Sequence, residues 1–337
     1  MKKQILIAAA VLLGATAANA TCWRINPSPY AKAQFKTVEE AMNDINVLAG
    51  DTLLMDPGNH GAIYVQRKNM TIIGTGYFLD QNTDWSETMV STAASINLSE
   101  GSKVEGMLVT GVIRPSATSY NCVVSRCKVG EIYAYDTKNW LIEECFVTSY
   151  IAYPREAIVR NNIVFGYISA GEGTLIENNV VVSGTTGNIL INTTNATIRN
   201  NIVINTMPGF DNNNRPWASQ LLINFDTSKN NSIQNNVLSA PATYADPNYV
   251  NNFFVGATVE NTFVNTGSED GKYHLLDNSP AKGKATHGGD CGAFGGSTPY
   301  VLSGIPQFLP HITEALVPAK PTDGKITVKL KIANQNE

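Results

Sequence analysis

The sequence predicts an all-β fold: a solenoid of parallel strands, three short strands to a coil. Three observations carry this. First, one phrase recurs: "VRNNIVF" at 159–165, "IENNVVV" at 176–182, "IRNNIVIN" at 198–205 and "IQNNVLS" at 233–239. Self-similarity about every 20 residues is the mark of a solenoid. Second, the runs between these phrases are short, β-branched and joined by Gly, Asn, Ser and Thr, which is strand-and-turn composition. Third, the leucine excess of a leucine-rich repeat is missing.

The elements follow in chain order. Lys2 and Lys3 precede an apolar run over 5–13 that is too short to span a bilayer, and Ala18-Asn19-Ala20 fits a small-x-small cleavage site. Residues 1–20 are therefore expected to be a cleaved signal peptide, and the chain to be exported to the periplasm, the cell surface or the medium. A lipid-bearing Cys22 is the alternative, which Asn19 and Thr21 fit poorly. Without Lys2 and Lys3 there are 22 basic and 28 acidic residues, scattered with no basic run. That excludes nucleic acid and anionic lipid surfaces as partners, and no later segment is apolar enough to span a membrane. The five cysteines (Cys22, Cys122, Cys127, Cys145, Cys291) have neither disulfide-framework nor zinc spacing.

"KTVEEAMNDINVLAGD" (36–51) predicts a helix that plugs the first coil. Thr37 and Glu40 form a capping box, Gly50 suits the C-terminal cap, and Val38, Ala41, Met42, Ile45 and Leu48 share one face. The coils follow. Aligning the apolar residue before each polar pair gives Ile73, Val104, Val124, Ile142, Val159, Ile176, Ile198, Ile233 and Val259. Coils stack about 4.8 Å apart, so the second Asn of each pair (Asn162, Asn179, Asn201, Asn236) is expected to form a ladder inside one corner, with Cys127 and Cys145 as small buried substitutes. An unpaired amide there would cost about 1–3 kcal/mol, so the ladder should pin the register.

The phrase, the coil length and the three-strand path resemble the right-handed parallel β-helix of the pectate-lyase-like superfamily. The resemblance covers roughly residues 50–300 and implies about ten coils. "YHLLDNSPAKGKATHGGDCGAFGG" (273–296) resembles a closing segment of bacterial β-helix proteins. Residues 301–337 read as a tail packed on the last coils or exposed.

Enzymes of this superfamily work in a lateral groove walled by long turns, so the long intervals between repeats matter. They place loops at about 78–97 with Trp85, at 205–220 with Asp211, Arg215 and Trp217, and at 240–252 with Tyr244, Asp246 and Tyr249. Exposed Trp and Tyr rings suit sugars; they also anchor loops. In the short coils, aligning Ile132, Ile151, Ile168 and Ile189 puts Asp136, Arg155, Glu172 and Thr193 four residues on, beside Tyr133, Tyr135 and Tyr153. An acid–base–acid series could do acid–base work or hold a uronate; it is equally an ordinary surface ion-pair ladder. Family catalytic phrases are scarce. The clustered calcium-binding aspartates and Arg-x-Pro-x-x-Arg-like segment of pectate lyases are absent, as are the Asp-Asp pair and Gly-His-Gly of polygalacturonases. Arg215-Pro216-Trp217 matches part of a pectin methylesterase phrase, with Asn214 in place of its Gly. His60, His274, His287 and His311 are isolated, and no metal site is expected.

The sequence therefore predicts an exported, monomeric β-helix protein that binds a polysaccharide or cell-surface glycan without catalysis and without a cofactor. Its substrate-binding candidates are Trp85, Tyr133, Tyr135, Tyr153, Asp211, Arg215, Trp217 and Tyr244. The alternative is a polysaccharide lyase or glycoside hydrolase acting on an acidic glycan, with Asp136, Arg155 and Glu172 as catalytic residues and calcium as cofactor if a lyase.

Overall fold

Each coil opens with a short strand whose central side chain points inward. Leu53, Ile72, Val104, Val124, Ile142, Val159, Ile176, Ile198 and Ile233 stack in register, none more than 1% exposed. They form the spine of a ten-stranded parallel sheet running from Cys22–Ile25 to Ser232–Gln234. The computed structural model describes residues 20–77, 90–184, 190–191, 194–207, 223–224, 230–239, 253–306, 311–316, 318, 320 and 325–333. The chain is an all-β parallel solenoid, a β-helix, of about seven turns rather than ten. The first strand of the first sheet belongs to an incomplete coil: Cys22–Ile25 leads into the capping helix instead of a second-sheet strand.

Two expected spine positions differ. Ile72, not Ile73, pairs with Val104; Ile73 pairs with Glu105 on the outer face, since a one-residue slip reverses every side chain. Val259 opens a short helix, Val259–Thr262, outside the spine.

The other two strands of each coil share a second, fifteen-stranded sheet. The strand Lys128–Tyr133 crosses both arms with an irregularity between Val129 and Glu131. Gly130 is needed at this bend, because a Cβ there would lie 2.6 Å from the Gly111 carbonyl of the coil below.

A two-residue corner joins the sheets and explains the Asn pairs. Its first residue is left-handed: Gly106, Arg126, Glu144, Asn161, Asn178, Asn200 and Asn235 all have φ between +51° and +69°. Asn tolerates this region better than most residues. The second residue points inward. Asn162, Asn179, Asn201 and Asn236 are fully buried, and Nδ2 of each donates to Oδ1 of the next at 2.9–3.0 Å. Each also donates to a backbone carbonyl one coil below, on Ile142, Val159, Ile176 and Ile198. Cys127 and Cys145 fill the preceding rungs, fully buried and unbridged. Burial pushes the Cys145 thiol well up, which makes it a packing group and not a nucleophile.

The capping helix α1 spans only Val38–Asn43. Its Thr37–Glu40 capping box forms as expected. The chain leaves the helix at Asp44, where Arg67 takes the carbonyls of Met42 and Asp44. The expected face therefore breaks: Ile45 and Leu48 are 86% and 56% exposed, and Val47 is buried instead. Gly50 is left-handed but caps no helix. Below it, Asp51 accepts from the backbone N–H groups of Thr21 and Leu48 and from Trp23 Nε1, each at 2.8 Å. Burial pushes its carboxyl up, but these three donors and Arg67 outweigh it and hold the pKa below its ordinary value. A depressed carboxylate pKa contributes stability above about pH 4, lost as pH falls through the folded value. Asp51→Asn should therefore lower the melting temperature at pH 7 and flatten its fall between about pH 4 and pH 2, as thermal melts across that range would read. An unchanged acid limb would sink this account.

The C-terminal part departs most from expectation. From Lys284 to Ile305 the chain forms a strap that runs back along the outside of the corner, against the direction of stacking. Asn235 Nδ2 donates to Lys284 O, Asn200 Nδ2 reaches Thr286 Oγ1, and Asn161 Nδ2 donates to Ala293 O and Gly295 O. Further on, Arg126 Nη1 donates to Ile305 O and the backbone N–H of Tyr77 to Ser303 O. The first Asn of three pairs, Asn161, Asn200 and Asn235, therefore holds the strap. Asn178 Nδ2 is buried there without a partner, and the second Asn of every pair builds the ladder. Tyr77, Tyr300 and Asp270 make a buried hydroxyl–hydroxyl–carboxylate chain beneath it. Beyond the strap, His311–Leu316 and Lys329–Ala333 form an antiparallel hairpin, and Leu316 and Leu330 are exposed.

Candidate functional site

The short coils bring three tyrosines together. Tyr133 ends the strand Lys128–Tyr133, Tyr135 sits in the turn that follows, and Tyr153 follows the strand Phe146–Ala152 one coil on. Their ring centroids are 5.5–6.1 Å apart; Tyr133 and Tyr135 are stacked, and Tyr153 stands edge-on to both. Tyr135 and Tyr153 are 61% and 46% exposed. Tyr153 is left-handed at φ +64°, which is uncommon for a bulky residue and costs roughly 1–3 kcal/mol.

The surface continues along the second sheet. Tyr150 and Tyr167 stack at 5.0 Å with ring planes 10° apart. The Tyr150 hydroxyl donates to Glu131 at 2.8 Å. That bond and burial push its pKa up to about 12, so Tyr150 stays a protonated donor.

Two shallow hollows flank the tyrosines. One, about 330 Å³, lies between Tyr133, Tyr135, Asp136 and Arg114; the other, about 230 Å³, between Tyr135, Asp136, Tyr153 and Arg155. Five of the predicted residues thus meet at one place. The predicted register of the charged series is only partly found. Ile132, Ile151 and Ile168 align, but the next coil places Leu190, not Ile189, beside Ile168. The turn at Tyr135–Asp136–Thr137 bulges, so Lys138, not Asp136, stands beside Arg155. The ion pairs are Lys138–Glu156 at 2.7 Å and Arg155–Glu172 at 3.7 Å, all four side chains well exposed. Such pairs contribute at most about 1 kcal/mol. Trp85, Asp211, Arg215, Trp217 and Tyr244 lie outside the described residues, as do Asp246 and Tyr249. So does Asn82-Thr83-Asp84, which matches the Asn-Thr-Asp phrase of polygalacturonases.

Among the described residues, no group of three His, Cys, Asp or Glu is placed to hold a metal ion, and no helix is long and apolar enough to cross a membrane.

Sequence reasoning missed a larger cleft on the first sheet, built around Arg126 and Glu144. Their signal was present: they stand immediately before Cys127 and Cys145, where later coils have Asn. A charged residue kept in a left-handed corner is a local cost that wants a reason.

The coil path and stacking register define the class of this molecule, a parallel β-helix. No protein-family model matches the chain, and no curated protein matches it either.

Proposed function

We propose that the protein is an exported, non-catalytic β-helix, of the right-handed pectate-lyase-like kind, that binds a glycan across the tyrosine face. The carrying observation is the cluster of Tyr133, Tyr135 and Tyr153 where two interior strands of the second sheet end, with two rings largely exposed. Flat apolar faces with a hydroxyl edge suit sugar rings, and a rigid support keeps the ordering cost of binding low. Arg114 and Arg155 beside the rings favour a glycan that carries carboxylates. Exposed tyrosines are poor core material, so a row of them supports a binding role.

Affinity electrophoresis through polygalacturonate, alginate and neutral glucans tests this. Tyr135→Ala with Tyr153→Ala should weaken retention by the acidic polymer about tenfold, since each ring contributes roughly 0.5–1.5 kcal/mol. Unchanged migration of the double variant would remove the tyrosine face from the reading. Unsaturated products on incubation would instead favour a lyase working through Asp136, Arg155 and Glu172.

A further inference from the structure

The outer face of the first sheet carries a second polar array. Glu105, Ser125, Glu143 and Arg160 stack on four successive coils. Lys103 pairs with Glu105 at 2.7 Å, and Arg160 with Glu143 at 2.6 Å. From the corner, Arg126 Nε donates to Glu144 at 2.8 Å, and Arg126 Nη1 lies 3.8 Å from Glu105. The strap stands over this array. Pro299, Val301, Leu302 and Ile305 form the opposite, largely apolar wall, and the cleft between them holds about 720 Å³.

The cleft is more than an ion-pair seam fastening the strap. Ser125 is 3% exposed, midway between Glu105 and Glu143, and its Oγ has no hydrogen-bond partner. A buried hydroxyl without a partner costs about 1–3 kcal/mol, and this one lines the cleft. The volume is that of a ligand site. Arg126 and Glu144 hold strained left-handed corners to place their charges here.

We infer that this cleft is a binding site for a neutral oligosaccharide, with Ser125 at its centre. Three cationic side chains face three acidic ones, so the cleft balances in charge and a charged ligand would leave one of its groups unmatched. Donors and acceptors alternate along the stacked coils, about 4.8 Å from one to the next. A polyol, whose hydroxyls both donate and accept, meets such an array at every step. The apolar strap residues suit the C–H faces of the rings. The site is separate from the tyrosine face and stands whether or not that face binds an acidic glycan.

Titration calorimetry of the full chain with maltohexaose, cellohexaose, xylohexaose and laminarihexaose tests the inference. At least one should give saturable heat. Ser125→Leu, which fills the centre of the cleft, should weaken that binding by about tenfold or more. The Tyr135→Ala/Tyr153→Ala variant should bind like the parent. Should Ser125→Leu fail to fold, Leu302→Glu on the rim, where Leu302 is 36% exposed, puts a charge on the apolar wall and should give the same loss. Binding of none of the four by the parent overturns the inference. So does binding that survives the cleft variant, or that disappears with the tyrosines.

Discussion

Replacing Asn179 by alanine is expected to lower folding stability by about 4 kcal/mol. Its Oδ1 accepts both the backbone N–H and the Nδ2 of Asn162. Its own Nδ2 reaches Val159 O, Glu177 O and Asn201 Oδ1. Alanine leaves several buried groups unpaired at once, each costing about 1–3 kcal/mol, partly relieved by relaxation. Asn161→Ala, at the outward position of the preceding pair, removes three bonds to the strap and should cost only about 1–2 kcal/mol. Urea midpoints at constant slope compare the two. Equal losses would mean that the internal ladder contributes no more than the strap contacts.

The second large effect concerns Arg126. Arg126→Ala should cost about 3 kcal/mol, because Glu144 and Glu105, 5% and 2% exposed, lose a cationic neighbour and Ile305 O loses a donor. Burial already pushes the Glu144 carboxyl up against the pull of Arg126, and the single variant should push it further. The double variant Arg126→Asn/Glu144→Asn should recover most of the loss and stand within about 1 kcal/mol of the parent. It removes the uncompensated charge and puts a tolerant residue in both left-handed corners. Thermal melts of the three proteins decide this. A double variant no better than Arg126→Ala would show that the corner charges stabilise the fold in their own right.

Much of the architecture was legible because stacking repeats itself in the sequence. The Asn pairs marked both the corner and the ladder, and the β-branched triplets marked the first sheet. Errors arose where period and geometry part. Ile73 lost its place to Ile72 by one residue, since an apolar pair does not say which member faces inward. The helical pattern through Ile45 and Leu48 continued past the point where Arg67 ends the helix. The strap was not legible at all. Asn161 and Ala293 are 132 positions apart, and bonds to main-chain carbonyls leave no trace in side-chain identity. The tyrosines were found from the alignment of Ile132, Ile151 and Ile168, while the bulge at Tyr135 hid the true neighbour of Arg155. The cleft escaped notice because it needs the strap as a wall.

The strap also changes how the molecule should come apart. A solenoid whose coils touch only their neighbours is close to a one-dimensional lattice, and it frays from its ends. Here Lys284 fastens the coil of Asn235 while Ser303 fastens that of Tyr77. Peeling off a terminal coil strips the same lateral tie that holds the opposite end. Loss of order at the two ends should therefore coincide, which amide exchange of the Tyr77 and Ser239 coils in mild denaturant would follow. A stack of nearly independent rungs becomes a single cooperative unit, complete only once its last described strap residues have folded back over its first coils.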